Sequence, residues 1–197
     1  MAKERLGTPR ARLFVALDIP DGVRDALVSW QTEALTDPGL RPMRPETLHL
    51  TLAFLGYHPE KQIEEIAGAA LVGDGRAPAL ELRAEPVGVP RGKHPRLFAI
   101  EAHSPETVAL QAQVSSSLAA AGFYEPEKRP FWPHLTVARV KPEKRGSRRP
   151  AEVKTPPAPL PEDFERTFDA VRLSLYRSHL RPQGAEYEAL AQLELKP

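Results

Sequence analysis

Two five-residue stretches carry most of the chemistry legible in the chain: His49-Leu50-Thr51-Leu52-Ala53 and His134-Leu135-Thr136-Val137-Ala138. Each is short, aliphatic and alternating, the pattern of a half-buried strand. Side chains at i and i+2 leave the same face of a strand. His49 and Thr51 therefore point one way and Leu50 and Leu52 the other; His134 and Thr136 repeat this against Leu135 and Val137. Imidazole gives or takes a proton near neutral pH without a large pKa shift. A pair of histidines can thus deprotonate an attacking oxygen and protonate a leaving one. Two neutral hydroxyls beside them suit the nonbridging oxygens of a phosphate whose charge shifts during transfer. The constellation reads as acid–base phosphodiester chemistry with no obligatory metal and no cofactor. Zinc is the rival use of two histidines, but it asks for three protein ligands, and no cysteine or matching acidic residue accompanies either motif.

The motif is part of a longer repeat. Arg12-Leu13-Phe14-Val15-Ala16 precedes His49 by 37 residues, and Arg96-Leu97-Phe98-Ala99-Ile100 precedes His134 by 38, counted from each arginine. Strand, connecting segment and His-x-Thr strand recur, which is an internal duplication. The first repeat spans about 10–75 and the second about 95–140, within a single bilobal domain covering 1–197. A helix is expected from a cap at Asp21 to about Leu35, another from about Pro59 to the Gly73-Asp74-Gly75 stop, and a third capped by Ser104 with Pro105 first and Gly122 as its end. Gly56 reads as the end of the first His-x-Thr strand; Leu80–Val89, Phe168–Tyr176 and Tyr187–Leu195 read as further strands, the last two joined by a turn through Pro182-Gln183-Gly184. About seven strands and three helices make an α+β fold, two pseudo-symmetric lobes of antiparallel sheet with outer helices facing across a central cleft.

Between them, residues 141–161 show no periodicity. They carry Lys141, Lys144, Arg145, Arg148, Arg149 and Lys154 against Glu143 and Glu152, with five prolines from Pro150 to Pro161. This is expected to be a long, exposed, mobile loop, either a solvated excursion or a clamp on an RNA backbone. A formal net charge of +1 excludes a uniformly basic nucleic-acid coat, so contact with phosphates must be local. With no cysteine, disulfides, thiolate metal sites and a cysteine nucleophile are excluded. No apolar run is long enough for a signal peptide behind Met1-Ala2-Lys3-Glu4-Arg5 or for a membrane span, and a cytoplasmic monomer is expected. His58, His94 and His103 lie in turn-like contexts and read as surface residues; His179, near a strand end, could reach a substrate.

The paired His-x-Thr words about 85 residues apart, in a duplicated chain, resemble the 2H phosphoesterase superfamily. Phe54-Leu55-Gly56, Pro133 to Arg139, and an ending of Leu175-Tyr176-Arg177-Ser178 with Gly184-Ala185 and Tyr187-Glu188 resemble its RNA 2′,3′-cyclic phosphodiesterase branch, also called 2′-5′ RNA ligases or the LigT/ThpR family. The resemblance implies opening of a terminal 2′,3′-cyclic phosphate on RNA to a 2′-phosphomonoester, and reversible 2′-5′ joining of tRNA halves. It implies catalytic His49 and His134, with His134 as base and His49 as acid, and substrate-binding Thr51, Thr136 and Arg139. Arg139 stands an odd number of residues from His134, so a regular strand would turn it away; a bulge or strand end at Ala138 is needed to bring it back. Phe54 has the same parity, and packing is its expected role. The rival functions are a phosphodiesterase for a small cyclic nucleotide and a noncatalytic RNA- or nucleotide-binding module.

Overall fold

The structure, a computed structural model, describes residues 9–181 and 184–197. In chain order the elements are β1 (Arg10–Asp18), α1 (Asp21–Ala34), β2 (Leu40–Pro42), β3 (His49–Pro59), α2 (Ile63–Ala70), β4 (Ala79–Leu82), β5 (Val87–Val89), β6 (Leu97–His103), α3 (Pro105–Ala120), β7 (His134–Val140), β8 (Thr167–Asp169), β9 (Arg172–Arg181) and β10 (Gly184–Glu194). All strand pairs are antiparallel, in the order β10-β9-β1-β3-β7-β6-β4-β8, with β2 added to β7 and β5 to β6. The α+β expectation holds.

One apolar core explains the layering. Leu13, Val15 and Leu17 of β1, Leu50 of β3, Ile100 of β6 and Leu135 of β7 share a buried cluster with Leu27 and Trp30 of α1, Ile66 of α2, and Val114 and Leu118 of α3. The helices thus cover the face of the sheet to which the leucines between His and Thr point. The histidines and threonines leave from the other face.

The two His-x-Thr strands, β3 and β7, meet at one pair, Leu50 opposite Leu135, both fully buried. Beyond it β3 and β7 part, because β2 takes the same edge of β7 from Ala138 to Val140. The lobes are therefore halves of one sheet, and the cleft opens where the two central strands separate.

Several expectations change. Pro20 occupies the N-cap of α1 and makes no side-chain bond; Asp21 is the first helical residue and pairs with Arg24 instead. Gly56 does not end its strand: it sits inside β3 with φ 76° beside a register shift, where a residue without Cβ relieves the bulge. Leu80–Val89 is two strands, and Phe168–Tyr176 divides at buried Ala170, after which the chain leaves β4 in one half to pair with β1 in the other. The Ser104 cap holds, its hydroxyl accepting from the Thr107 N–H at 3.0 Å. Pro182 and Gln183 of the expected turn, and residues 1–8, lie outside the described residues.

The loop 141–161 is moored along its length. It opens as a small hairpin bridged between Pro142 and Pro150. The Asp37 carboxylate then accepts from the backbone N–H of Lys154 and Thr155, at 2.8 and 2.9 Å, and its pKa is lowered first by the Thr155 bond and then by those from Gly39 and Lys154, against the opposing effect of burial. Trp30 donates to the Pro159 carbonyl at 3.1 Å, and Leu160 is buried. Its prolines, having no N–H to satisfy, let this strap run over the surface without a ladder.

Candidate active site

Extending the Leu50–Leu135 register by one residue sets His49 beside Thr136 and Thr51 beside His134, all four on the face opposite the core. The four predicted polar side chains are thereby gathered around one pseudo-twofold point. Each imidazole is held the same way. His134 Nδ1 lies 2.7 Å from the Trp132 carbonyl, and His49 is hydrogen-bonded to the Thr47 backbone, again two residues upstream. Such a bond orients the ring and fixes which nitrogen faces the cleft. His49 Nε2 faces the Thr51 hydroxyl at 3.0 Å. Each ring also lies against an aromatic: Phe14 stacks on His49 with centroids 5.1 Å apart, and Trp132 on His134 at 4.4 Å.

The parity difficulty disappears through a bulge used twice. Consecutive Phe98 and Ala99 of β6 oppose Ala138 and Thr136, so Val137 is extra. Consecutive Val15 and Ala16 of β1 oppose Ala53 and Thr51, so Leu52 is extra. Both extra residues stand three after the histidine. Each bulge flips the parity of the residues beyond it, returning Arg139 and Phe54 to the histidine face as equivalent positions. Both are exposed, Phe54 by 60%. The packing role expected for Phe54 is therefore wrong; its ring stands 6.0 Å from that of Phe14 at the rim of the site.

At each bulge a glutamine from a helix bonds the carbonyl of the extra residue, which at Val137 also accepts from the Met43 N–H at 3.0 Å. Buried Gln31 of α1 donates from Nε2 to the Val137 carbonyl at 2.7 Å, and Gln111 of α3 donates to the Leu52 carbonyl at 3.4 Å. Each helix supports the bulge of the other half.

The electrostatic setting is unequal. His49 is pushed down to about 4, first by burial and then by the positive charges of His134 and Arg139; Asp18 and the Thr47 bond oppose the shift. Asp18 faces His49 in the β1–β3 register and is buried, 4% exposed. It accepts from Arg172 Nε at 3.1 Å, Ser174 Oγ at 2.8 Å and the Tyr176 hydroxyl at 2.7 Å, which satisfies a buried charge. Burial and Asp18 together raise Tyr176 to about 12, so it remains a donor. Tyr187 closes the ring, 5.2 Å from His49 and edge-on.

Residues 17–96 match the family described as LigT-like phosphoesterase. A Thermus thermophilus protein named RNA 2′,3′-cyclic phosphodiesterase is 31% identical over 94% of this chain and 90% of its own. A Methanocaldococcus jannaschii protein of the same name is 29% identical over 91% of this chain and 98% of its own. The chain belongs to the LigT-like phosphoesterase family. Among solved structures, TT0787 of Thermus thermophilus superposes with a TM-score of 0.75 at 29% identity, covering 93% of this chain and 97% of its own. Escherichia coli LigT in complex with 3′-AMP superposes with a TM-score of 0.75 over 96% of this chain and all of its own; at 22% identity it speaks for the fold.

In this family member the sequence reading missed Asp18, Tyr176, Tyr187, Trp132 and the two glutamines. The signal for Trp132 was local, two residues before His134; the others come from strands and helices whose distance from the motifs hides them. His179 pairs with Glu188 at 2.8 Å on the β9–β10 edge. His94 and His103 are exposed as expected, while His58 is half-buried and bonds the Leu55 carbonyl. Among the described residues, no group of three His, Cys, Asp or Glu is placed to hold a metal ion. No helix among them is long and apolar enough to cross a membrane.

Proposed function

We propose that this protein opens a 2′,3′-cyclic phosphate at the end of an RNA strand to a 2′-phosphomonoester, using His49 and His134 and no metal. The coarse activity, RNA 2′,3′-cyclic phosphodiesterase, is that of the relatives that span most of the chain, and the protein is an enzyme of that class. The observation that carries the finer reading is the convergence of two imidazoles, two hydroxyls and Arg139 on one open face of twin bulged strands.

In the proposed reaction, water attacks phosphorus and gives a proton to His134 while the P–O3′ bond breaks and His49 protonates the departing oxygen. Thr51, Thr136 and Arg139 hold the nonbridging oxygens. His49 is largely neutral at pH 7 in the substrate-free protein, given its pKa of about 4. An anionic phosphate beside the ring favours the charged form, so substrate itself loads the acid. A 5′-hydroxyl in place of water would yield a 2′-5′ linkage with the same groups.

The test is incubation with an RNA ending in a 2′,3′-cyclic phosphate, with and without chelator, and identification of the product isomer. A 2′-phosphate formed equally in both is expected. A 3′-phosphate, or activity lost to the chelator, would overturn the mechanism.

A further inference from the structure

Past the Leu52 bulge, β3 carries another. Consecutive Leu13 and Phe14 of β1 oppose Gly56 and Phe54, so Leu55 is extra, and Arg12 opposes Tyr57. Arg12 and Phe14 share a face of β1, so their partners Tyr57 and Phe54 share a face of β3, the one that carries the histidine. Two strand residues rise about 7 Å, close to the span of one nucleotide in an extended single strand. Phe54 is 60% and Tyr57 53% exposed, and neighbouring apolar side chains left in water mark a binding surface. Phe54 meets Phe14, whereas among the described residues the Tyr57 ring meets no other ring and its hydroxyl has no hydrogen-bond partner. Beyond Leu50, β3 is paired among the described residues with β1 alone. The turn after α3 comes up against it, the Phe123 ring meeting His58 edge-on at 6.0 Å. An open groove of about 510 Å³ lies there, lined by Phe54, Tyr57, His58, Phe123, Tyr124 and Glu125. Phe54 joins this groove to the site: its ring is 6.0 Å from Phe14, which stacks on His49 at 5.1 Å. Among the described residues no lysine or arginine lines the groove, so it suits a flat, uncharged group in place of a phosphate. Stacking on aromatic rings is how bases of a single strand are held, whatever their identity.

We propose that Tyr57 is a second base platform, beyond Phe54, on which the penultimate base of an RNA strand stacks while its terminal phosphate lies between His49 and His134. The protein thereby selects the end of a strand over a free cyclic mononucleotide. This rests on reading the His49–His134 face as the place where the terminal phosphate reacts. The terminal base reaches Phe54 at the rim of the site. The next base falls one nucleotide further along the same face, where Tyr57 stands and the groove is open.

The experiment uses three substrates ending in a 2′,3′-cyclic phosphate: a dinucleotide, the same dinucleotide lacking its penultimate base, and a mononucleotide. The abasic form keeps the connecting phosphate, so comparing it with the intact dinucleotide isolates the base. For each, kcat/KM is measured and the affinity of the corresponding 2′-phosphate product is titrated, in wild type, Tyr57→Ala and Tyr57→Phe. Wild type is expected to prefer the intact dinucleotide about tenfold over both others, the worth of one stacked base. Tyr57→Ala should lose most of that ratio, and Tyr57→Phe, which keeps the ring, should retain it. Wild type indifferent to the penultimate base, or Tyr57→Ala weakening intact and abasic forms alike, would overturn the proposal and leave the groove to another occupant. Should wild type hydrolyse none of the three, the reading of the reaction falls, and the ratio of product affinities still decides on Tyr57. Thermal melting of each variant verifies the fold, which truncation at an exposed position should leave intact.

Discussion

Around His49, strand β1 contributes Phe14 and Asp18; at the equivalent places around His134, strand β6 contributes Leu97 and Glu101. Phe14 and Asp18 are nearly inaccessible, while Leu97 and Glu101 are half-buried. Five residues after the histidine, the first half carries Phe54 and the second Arg139. The backbone is duplicated down to the bulge and the i−2 hydrogen bond that orients each ring. What has diverged is the wall around each ring: Phe14, Tyr176, Tyr187 and one buried carboxylate around His49, and Trp132 with half-buried Glu101 and exposed Arg139 on the side of His134. In the proposed mechanism the two imidazoles have opposite proton-transfer tasks, and a twofold frame with unlike walls offers them unlike surroundings.

The sharpest way to break the comparison is to remove each imidazole in turn. His49→Ala and His134→Ala are each expected to lower turnover by about 10²–10⁴ with the fold retained by circular dichroism. A substrate with sulfur for the 3′ oxygen needs no proton to leave, so it should rescue His49→Ala and not His134→Ala. Rescue of the opposite variant would exchange the roles of the two halves.

Next in size is the difference between Phe54 and Arg139. Phe54→Ala should raise KM about tenfold for a base stacked on it, with kcat nearly unchanged. Arg139→Gln should lower kcat by a comparable factor, because its charge bears on the phosphate as it reacts. Equal effects on KM from both would show the two positions to be one binding surface.

A smaller effect is expected from the carboxylates. Asp18→Asn removes the charge that favours protonated His49, so the limb of the kcat/KM profile near pH 4 should move to lower pH; Glu101→Gln should leave it in place. The smallest concerns stability. His49 takes up its proton at about 4 when folded and 6.5 when unfolded, so the unfolded chain binds more protons between those values. Stability is present in full above pH 6.5 and lost as pH falls toward 4, by at most about 3 kcal/mol. Denaturant titrations of His49→Gln should show a flatter dependence over that window.

The internal repeat shows how far the chain could be read. Arg12-Leu13-Phe14 and Arg96-Leu97-Phe98 look equivalent as words, yet the registers make Leu13 the counterpart of Arg96, and Phe14 that of Leu97. Phe14 stacks on His49, whereas Phe98 lies in the core. A strand face alternates every residue, so an alignment displaced by one exchanges inside and outside without altering the composition.

By itself, the order of residues determined the duplicated His-x-Thr strands, the faces of His49, Thr51, His134 and Thr136, the Ser104 cap and the α+β class. These follow from side-chain alternation and local hydrogen bonds, which neighbours in the chain specify. Only the tertiary structure decided that the two His-x-Thr strands meet in one sheet at Leu50 and Leu135, that the bulges turn Phe54 and Arg139 to the histidine face, and that Asp18, Tyr176, Tyr187, Gln31 and Gln111 lie around or beneath that face. Each of those depends on which strand or helix lies alongside, and a bulge exists only as one more residue than the neighbouring strand can match.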